Sequence, residues 1–304
     1  MTKAIDPAIN SLLDLDNAKG RGEDICDESL PGEHGRWITD EDIAYNGFTC
    51  VESVDTFNKH RILFKEKPKK EKTLIFLPGG AGRVHAVTPD LLVMPTNYIN
   101  LFPDDFNIVS IDFDHNMGWL FAREVERVVP PRGMSVGSLT GKAIGMMPDG
   151  PVKKLISGLS DLEKVLQQIK TMFPGEHWIS GHCNSCELLS KHYAFYPNPT
   201  YQGMIFLSPS WRNSWKETIG RMQYFAKPLD IPLLSIVHKY DSARVVGVEL
   251  THRISEQSTS PRREVIEVEG GTDNGLPHFS MGHHGFFGID KQIIDHMIKF
   301  VDAK

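Results

Sequence analysis

The pentapeptide Gly181-His182-Cys183-Asn184-Ser185 sets a cysteine between small residues two places before it and two places after it. It follows the apolar run at Trp178-Ile179 and leads into a helical pattern through Leu188 and Leu189. A side chain at the tip of a tight strand-to-helix turn is pushed out of the sheet. The backbones beside it nearly touch, so the flanking residues must be small. The Cys183 thiol would then lie over a helix N-terminus, whose partial positive charge favours a thiolate. A thiolate there can attack a carbonyl carbon and form an acyl-enzyme, with the backbone N–H of Asn184 facing the developing oxyanion. The competing reading of Cys183 is a buried structural cysteine. Ser185 is a rival nucleophile, but Glu187 then stands where a small residue is needed.

Three further segments carry groups that such a nucleophile requires. Leu77-Pro78-Gly79-Gly80-Ala81-Gly82 follows an apolar run, and its glycines let an N–H of Gly80 or Ala81 turn into a site. A Gly-rich turn or phosphate cradle is the alternative, although no Gly-Lys-Ser/Thr follows to make a P-loop. His238-Lys239-Tyr240-Asp241-Ser242 ends another apolar run. Asp241 there could hold an imidazole in its working tautomer, or simply serve as a turn residue. Gly282-His283-His284-Gly285-Phe286-Phe287-Gly288 offers two adjacent histidines as general base, with surface histidines as the other reading. His284 is favoured and His283 is the alternative base, because His284-Gly285-Phe286-Phe287 leads into the closing helix at a suitable distance.

The elements that must position these groups alternate. Strands are expected at Phe48–Val54, His60–Phe64, Thr73–Leu77, Phe106–Asp112, the run before Cys183, Met204–Leu207, Pro232–Val237 and Glu264–Val268. Helices are expected at Leu91–Phe102, Ser160–Phe173, the segment after Cys183, Arg212–Phe225, Val245–Ser255 and Gln292–Val301. In the second of these, Leu162, Val165, Leu166, Ile169 and Phe173 share one stripe, and Pro174-Gly175 ends it. This alternation argues a parallel sheet with helices on both faces. Residues 1–45 are polar and Gly-rich and read as an N-terminal extension on the surface, leaving 46–304 as one domain. Residues 114–155 make a longer connection than the topology needs and read as a cap or lid, with Trp119, Met146 and Met147 as apolar substrate contacts.

A chain of 304 residues, 40% hydrophobic and 24% charged, is ordinary for a globular protein with a full core. A net charge of -6 gives no electrostatic reason to expect nucleic acid or an anionic membrane as partner. Lys67, Lys69, Lys70 and Lys72 are interrupted by Glu66 and Glu71 and read as a solvated hairpin. No stretch approaches the roughly 18 apolar residues of a membrane span, and the N-terminus lacks a secretory pattern. The cytoplasm is therefore the default compartment. A trimmed signal peptide is the alternative, in which case Cys26 and Cys50 could pair.

Taken in order, these segments resemble the α/β-hydrolase superfamily, over residues 46–304. Gly181-His182-Cys183-Asn184-Ser185 resembles its nucleophile elbow, and Leu77-Pro78-Gly79-Gly80 its oxyanion loop, with Pro78 where many members have histidine. His238-Lys239-Tyr240-Asp241 resembles its strand-end acid segment. Cys183, Asp241 and His284 follow the family's chain order of nucleophile, acid and histidine. The resemblance implies a three-layer α/β fold with a mostly parallel sheet of about eight strands, a variable cap, and no metal or organic cofactor for the chemistry. Cys183 departs from the usual serine, as it does in dienelactone hydrolases and polyhydroxyalkanoate synthases. Ser185 replaces the usual glycine.

The expectation is a hydrolase of an ester, lactone or thioester through Cys183, His284 and Asp241, with Asn184 and Gly80 as oxyanion donors. An acyltransferase with the same triad is the alternative. A small acyl compound is the expected partner, and a homodimer is compatible with the sequence. Two other readings stay open. Cys183-Asn184-Ser185-Cys186 is also a C-x-x-C at a helix start, which can be a thiol–disulfide site, or a zinc site with His283 and His284. A hydrolase fold that has lost catalysis and serves as a binding module is the last.

Overall fold

The structure, a computed structural model, describes residues 36–66, 70–80, 82–88, 91–92, 96–114, 151–196, 199–211, 228–241, 248–272 and 282–303. Trp119, Met146, Met147, Cys26, most of the expected cap and the expected helix at Arg212–Phe225 lie outside the described residues.

The chain enters through strand β1 (Arg36–Trp37) and helix α1 (Asp40–Tyr45). Thr39 caps the helix reciprocally. Its hydroxyl accepts the Asp42 N–H at 3.3 Å, while the Asp42 carboxylate accepts the Thr39 N–H at 2.8 Å. Ile38 and Ile43 are buried in the core, so the last ten residues of the region expected as a surface extension are built into the fold. Strands β2 (Thr49–Glu52), β3 (Arg61–Phe64) and β4 (Lys72–Leu77) follow. Then come β5 (His85–Thr88) and β6 (Leu91–Leu92), which join β1 in a small antiparallel sheet.

The sequence pattern favours a helix over Leu91–Phe102. The structure instead has β6 and a single 3-10 stretch, Thr96–Asn100. Pro95 lacks the N–H and the ring clearance that a continuous helix needs there. After β7 (Phe106–Asp112) comes α2 (Pro151–Met172), which starts nine residues before the expected Ser160. Leu155, Leu159, Leu162, Leu166 and Ile169 continue one buried stripe through its length. Proline suits the opening position because its missing N–H is unpartnered there anyway. The end of the expected cap, at 151–155, thus belongs to this helix.

Strand β8 (Glu176–His182), helix α3 (Asn184–Phe195), strands β9 (Gly203–Leu207) and β10 (Leu233–His238), helix α4 (Val248–Gln257), strand β11 (Arg263–Val268) and helix α5 (Asp290–Asp302) complete the order. The main sheet has eight strands in the order β11-β10-β9-β8-β4-β7-β3-β2. Neighbours from β11 to β7 run parallel, and β3 and β2 are added antiparallel.

Alternating side chains of each central strand feed two cores. Ile75 and Leu77 of β4, Val109 and Ile111 of β7, and Met204 and Phe206 of β9 meet the stripes of α2, α3 and α4. Leu74 and Phe76, Ile108, and Ile205 and Leu207 face the other way, onto Ile293, Met297 and Phe300 of α5. The sheet is therefore covered on both faces, and β4 and β7 read as continuous apolar runs for that reason. Among the described residues no helix is long and apolar enough to cross a membrane.

One buried carboxylate anchors the loop after β4. Asp112, 1% exposed, accepts Arg61 Nε at 2.8 Å, Arg83 Nε at 3.1 Å and the Val84 N–H at 2.8 Å. Phe113, next along, donates its N–H to Gly82 at 3.1 Å. Asp112→Ala strands two guanidinium groups and a backbone N–H in a partly buried site. We expect it to cost about 3 kcal/mol of unfolding free energy in urea titration. A loss below about 0.5 kcal/mol, the size of a surface change, would contradict this anchoring.

Candidate active site

The groups that could do chemistry all leave the carboxyl ends of parallel strands: β4 leads to Pro78–Gly80, β8 to Cys183, β10 to Asp241, and the chain after β11 to His284. Crevices at that sheet edge are where open α/β folds bind ligands.

Cys183 sits between β8 and α3 with φ 54° and ψ -121°. That backbone region is costly for a residue with a side chain, by roughly 1–3 kcal/mol, and persists only where the surroundings hold it. Here two close approaches hold it. A Cβ added at Gly181 would lie 2.9 Å from the Ser185 carbonyl carbon and 3.0 Å from the Cys186 nitrogen. One added at Gly79 would lie 2.7 Å from His182 Nδ1 and 2.9 Å from the Cys183 Cβ. Both positions therefore require glycine. The Cys183 N–H donates to Leu207 at 3.0 Å, and its carbonyl accepts the Ser210 N–H at 3.2 Å.

Ser185 is fully buried and donates its hydroxyl to the Pro78 carbonyl at 2.5 Å. It therefore ties α3 to the loop after β4. Its presence in place of glycine is accommodated because the hydroxyl has an acceptor there. Asn184, the first residue of α3, turns its carboxamide between two parts of the site. Its Oδ1 is 3.7 Å from Cys183 Sγ, and its Nδ2 donates to the Gly80 carbonyl at 3.4 Å. Gly80 has φ 60°, a conformation that favours glycine.

Of the two adjacent histidines, His284 meets the acid: its Nδ1–H donates to Asp241 Oδ2 at 2.9 Å, with both side chains nearly buried. That bond leaves the proton on Nδ1 and the lone pair on Nε2 in the neutral ring, the tautomer a general base needs. His283 faces elsewhere, its Nδ1–H donating to the Tyr240 carbonyl at 3.2 Å.

His182 was not singled out in the sequence, although it adjoins the cysteine. It is 3% exposed, and its Nε2–H donates to the His284 carbonyl at 3.2 Å, with the two rings 4.8 Å apart. The elbow and the histidine loop are thus joined by one direct hydrogen bond. Burial, reinforced by the neighbouring His284, pushes the His182 pKa well below its usual value, so the ring is a neutral strut.

Cys186 is fully buried and donates its thiol to the Gly181 carbonyl at 3.1 Å, and burial pushes its pKa well above that of a free thiol. A thiol–disulfide pair needs a reactive, accessible partner, which Cys186 is not. Among the described residues no group of three or more His, Cys, Asp or Glu side chains could hold a metal ion.

No protein-family profile matches the sequence, and no curated protein sequence matches it significantly. Solved structures do match. An esterase from Pyrococcus furiosus superposes with a TM-score of 0.53 at 14% identity, over 89% of this chain and 95% of its own. A dienelactone hydrolase from Anabaena variabilis gives 0.52 at 12% identity, over 83% and 95%. A carboxylesterase from Bacillus subtilis gives 0.52 at 10% identity, over 87% and 96%. The chain has the α/β-hydrolase fold. Likeness at these identities establishes that architecture, and the chemistry of this α/β-hydrolase-fold chain has to be argued from its own residues.

Two outcomes follow. Diamide treatment of the native protein should leave no Cys183–Cys186 disulfide in peptide mass spectra, and Cys186→Ala should leave alkylation of Cys183 by iodoacetamide at its parental rate. A ready intramolecular disulfide would restore the redox reading. The second concerns pH. His177, His182 and His238 all have pKa values lowered by burial from 6.5. Each binds a proton more weakly folded than unfolded. Their contribution to stability is therefore complete above 6.5 and is lost as the pH falls below it toward the folded-state values. Denaturant midpoints should be flat above neutrality and decline from about pH 6.5 downward, and a flat profile through pH 5 would contradict it.

Proposed function

We propose that this chain is a hydrolase of activated carboxylic esters, lactones or thioesters that works through Cys183. The observation that carries the reading is the His284–Asp241 pair at 2.9 Å, joined through His182 to a strained cysteine at the start of α3. The fold shared with esterases and a dienelactone hydrolase supports it.

In this reading His284 takes the thiol proton, and the thiolate attacks the acyl carbonyl carbon. The oxyanion is held by the N–H groups of Asn184 and Gly80. The tetrahedral adduct collapses with cleavage of the bond to the leaving oxygen or sulfur, which takes the proton from His284. Water, deprotonated by the same imidazole, then attacks the thioester. The acid leaves and the proton returns to sulfur, so each bond made is matched by one broken. Asp241 stabilises the imidazolium at both stages without being protonated itself. Thiolate nucleophiles suit good leaving groups, which favours activated acyl compounds over amides. An alcohol or thiol in place of water makes the same site an acyltransferase.

Cys183→Ala should lower turnover of p-nitrophenyl acetate about a thousandfold or more, while Cys186→Ala keeps most of it. Rapid acid quench of the parent protein should trap an acetyl group on the peptide containing Cys183. Parental turnover in Cys183→Ala, or no adduct with any activated ester or thioester, would defeat the proposal and favour a binding module. Adding butanethiol separates the two enzymatic readings: product that partitions to the thioester marks an acyltransferase.

A further inference from the structure

Tyr240 stands immediately before Asp241, and both of its backbone polar groups are held by histidines. Its N–H donates to Nδ1 of His238 at 3.1 Å. Its carbonyl accepts the Nδ1–H of His283 at 3.2 Å. The His238 ring, 1% exposed, is fixed on its other side, where Nε2–H donates to the Gly270 carbonyl at 2.8 Å. The two imidazoles lie face to face, 4.1 Å apart and 8° from parallel. The Asp241 N–H closes the turn onto the His238 carbonyl at 3.0 Å.

From this geometry we infer that His238 and His283 form a clamp on Tyr240 that positions Asp241 against His284. His238 comes from the end of β10, and His283 from the short turn that also carries His284. The clamp therefore spans the two loops whose relative placement fixes the 2.9 Å bond between acid and imidazole. Both histidines are positioning residues: they act through the peptide on which the acid is mounted.

The neutral form of His238 is required, since its Nδ1 accepts and its Nε2 donates. Burial, with His283 stacked beside it, lowers its pKa and keeps that form. Among the described residues, the other charged or titratable groups around the clamp include Asp241, Glu269 with its partner Lys239, the Tyr240 phenol, and His182 behind His284.

The inference rests on the hydrolase reading for its catalytic consequence but not for its structural content, and the test separates the two. His283→Leu keeps the bulk of the ring and removes the donor to Tyr240. His283→Asn replaces the donor, because its Nδ2 falls near the position of the imidazole Nδ1. Nuclear magnetic resonance titration of His284 should show its pKa lowered in His283→Leu, since a less well aligned carboxylate stabilises the imidazolium less, and restored in His283→Asn. Turnover of p-nitrophenyl acetate should fall about ten- to a hundredfold in kcat with KM little changed, and recover with asparagine. The limb of the pH profile governed by His284 should move to lower pH. Thermal stability should change little, because His283 is partly exposed. An unaltered His284 titration in His283→Leu overturns the clamp, whatever happens to turnover. Full activity in Cys183→Ala overturns the hydrolase reading instead, and the His284 titration still decides the clamp.

Discussion

The arrangement depends on backbone crowding at one point. Cys183 adopts a conformation that an L-residue avoids, and it is held there because two stretches of chain press on it where only hydrogen fits. Gly79, on the loop after β4, lies against His182 and the Cys183 Cβ, and Gly181, at the end of β8, lies against the first turn of α3. The crowding does two things at once. It fixes Cys183 at the turn between β8 and α3, and it brings the loop after β4 within reach of α3, where Ser185 and Asn184 bond to Pro78 and Gly80. A single methyl at either glycine would have to move backbone or the nucleophile itself, which makes these positions more restrictive than any polar contact in the site.

That elbow needs a rigid base, and the doubly covered sheet supplies it. β4 and β8 pair along their length, with Leu77 opposite Gly181, so the loop after β4 and the cysteine turn start from adjacent strand ends. β9 pairs with β8 on the other side, with Leu207 opposite His182, and its last carbonyl receives the Cys183 N–H. β10 follows β9 and ends in His238, three residues before Asp241. Pro78–Gly80, Cys183 and Asp241 are therefore mounted just past the ends of neighbouring parallel strands. The loop after β4 is pinned again from β7, through Asp112 and its two arginines.

Much of this frame was legible because burial on both faces leaves continuous apolar runs. Lys72–Leu77, Phe106–Asp112 and Leu233–His238 are such strands, and each lies within a residue or two of its expected bounds. The chemistry-bearing segments were legible for a different reason: glycines, a cysteine, a carboxylate and histidines recur at strand ends, where residue type alone suggests a role. The ties between those segments were not legible. His182 meets the His284 carbonyl across 102 residues, and Ser185 meets Pro78 across 107. Nothing local marks a backbone carbonyl as the acceptor for a distant ring or hydroxyl. The same limit applies to α1, whose six residues are too few for a periodic signal and which is set instead by the capping box at Thr39 and Asp42. At Leu91–Phe102 the apolar spacing favours a helix while Pro95 opposes one, and the proline prevails.

Histidine does two kinds of work at this sheet edge, and burial separates them. His60, His182 and His238 are all nearly inaccessible, and each bonds the backbone of another segment. His60 accepts the Asp114 N–H at 3.0 Å and lies 3.4 Å from Asp161, while His182 and His238 donate to the carbonyls of His284 and Gly270. A neutral imidazole is well suited to this, because it offers one donor and one acceptor on opposite sides of a flat ring and can join two loops without bringing a charge into the interior. His284 differs from His182 and His238 in having a carboxylate on its donor nitrogen, and a carboxylate there favours an imidazolium, whereas burial keeps His182 and His238 neutral. The rings of His182 and His284 lie 4.8 Å apart and tilted, and those of His238 and His283 lie 4.1 Å apart and stacked. If each carried a carboxylate they would repel as cations. Burial thus leaves His182 and His238 as neutral, fixed parts of the frame, while Asp241 sits on the donor nitrogen of His284.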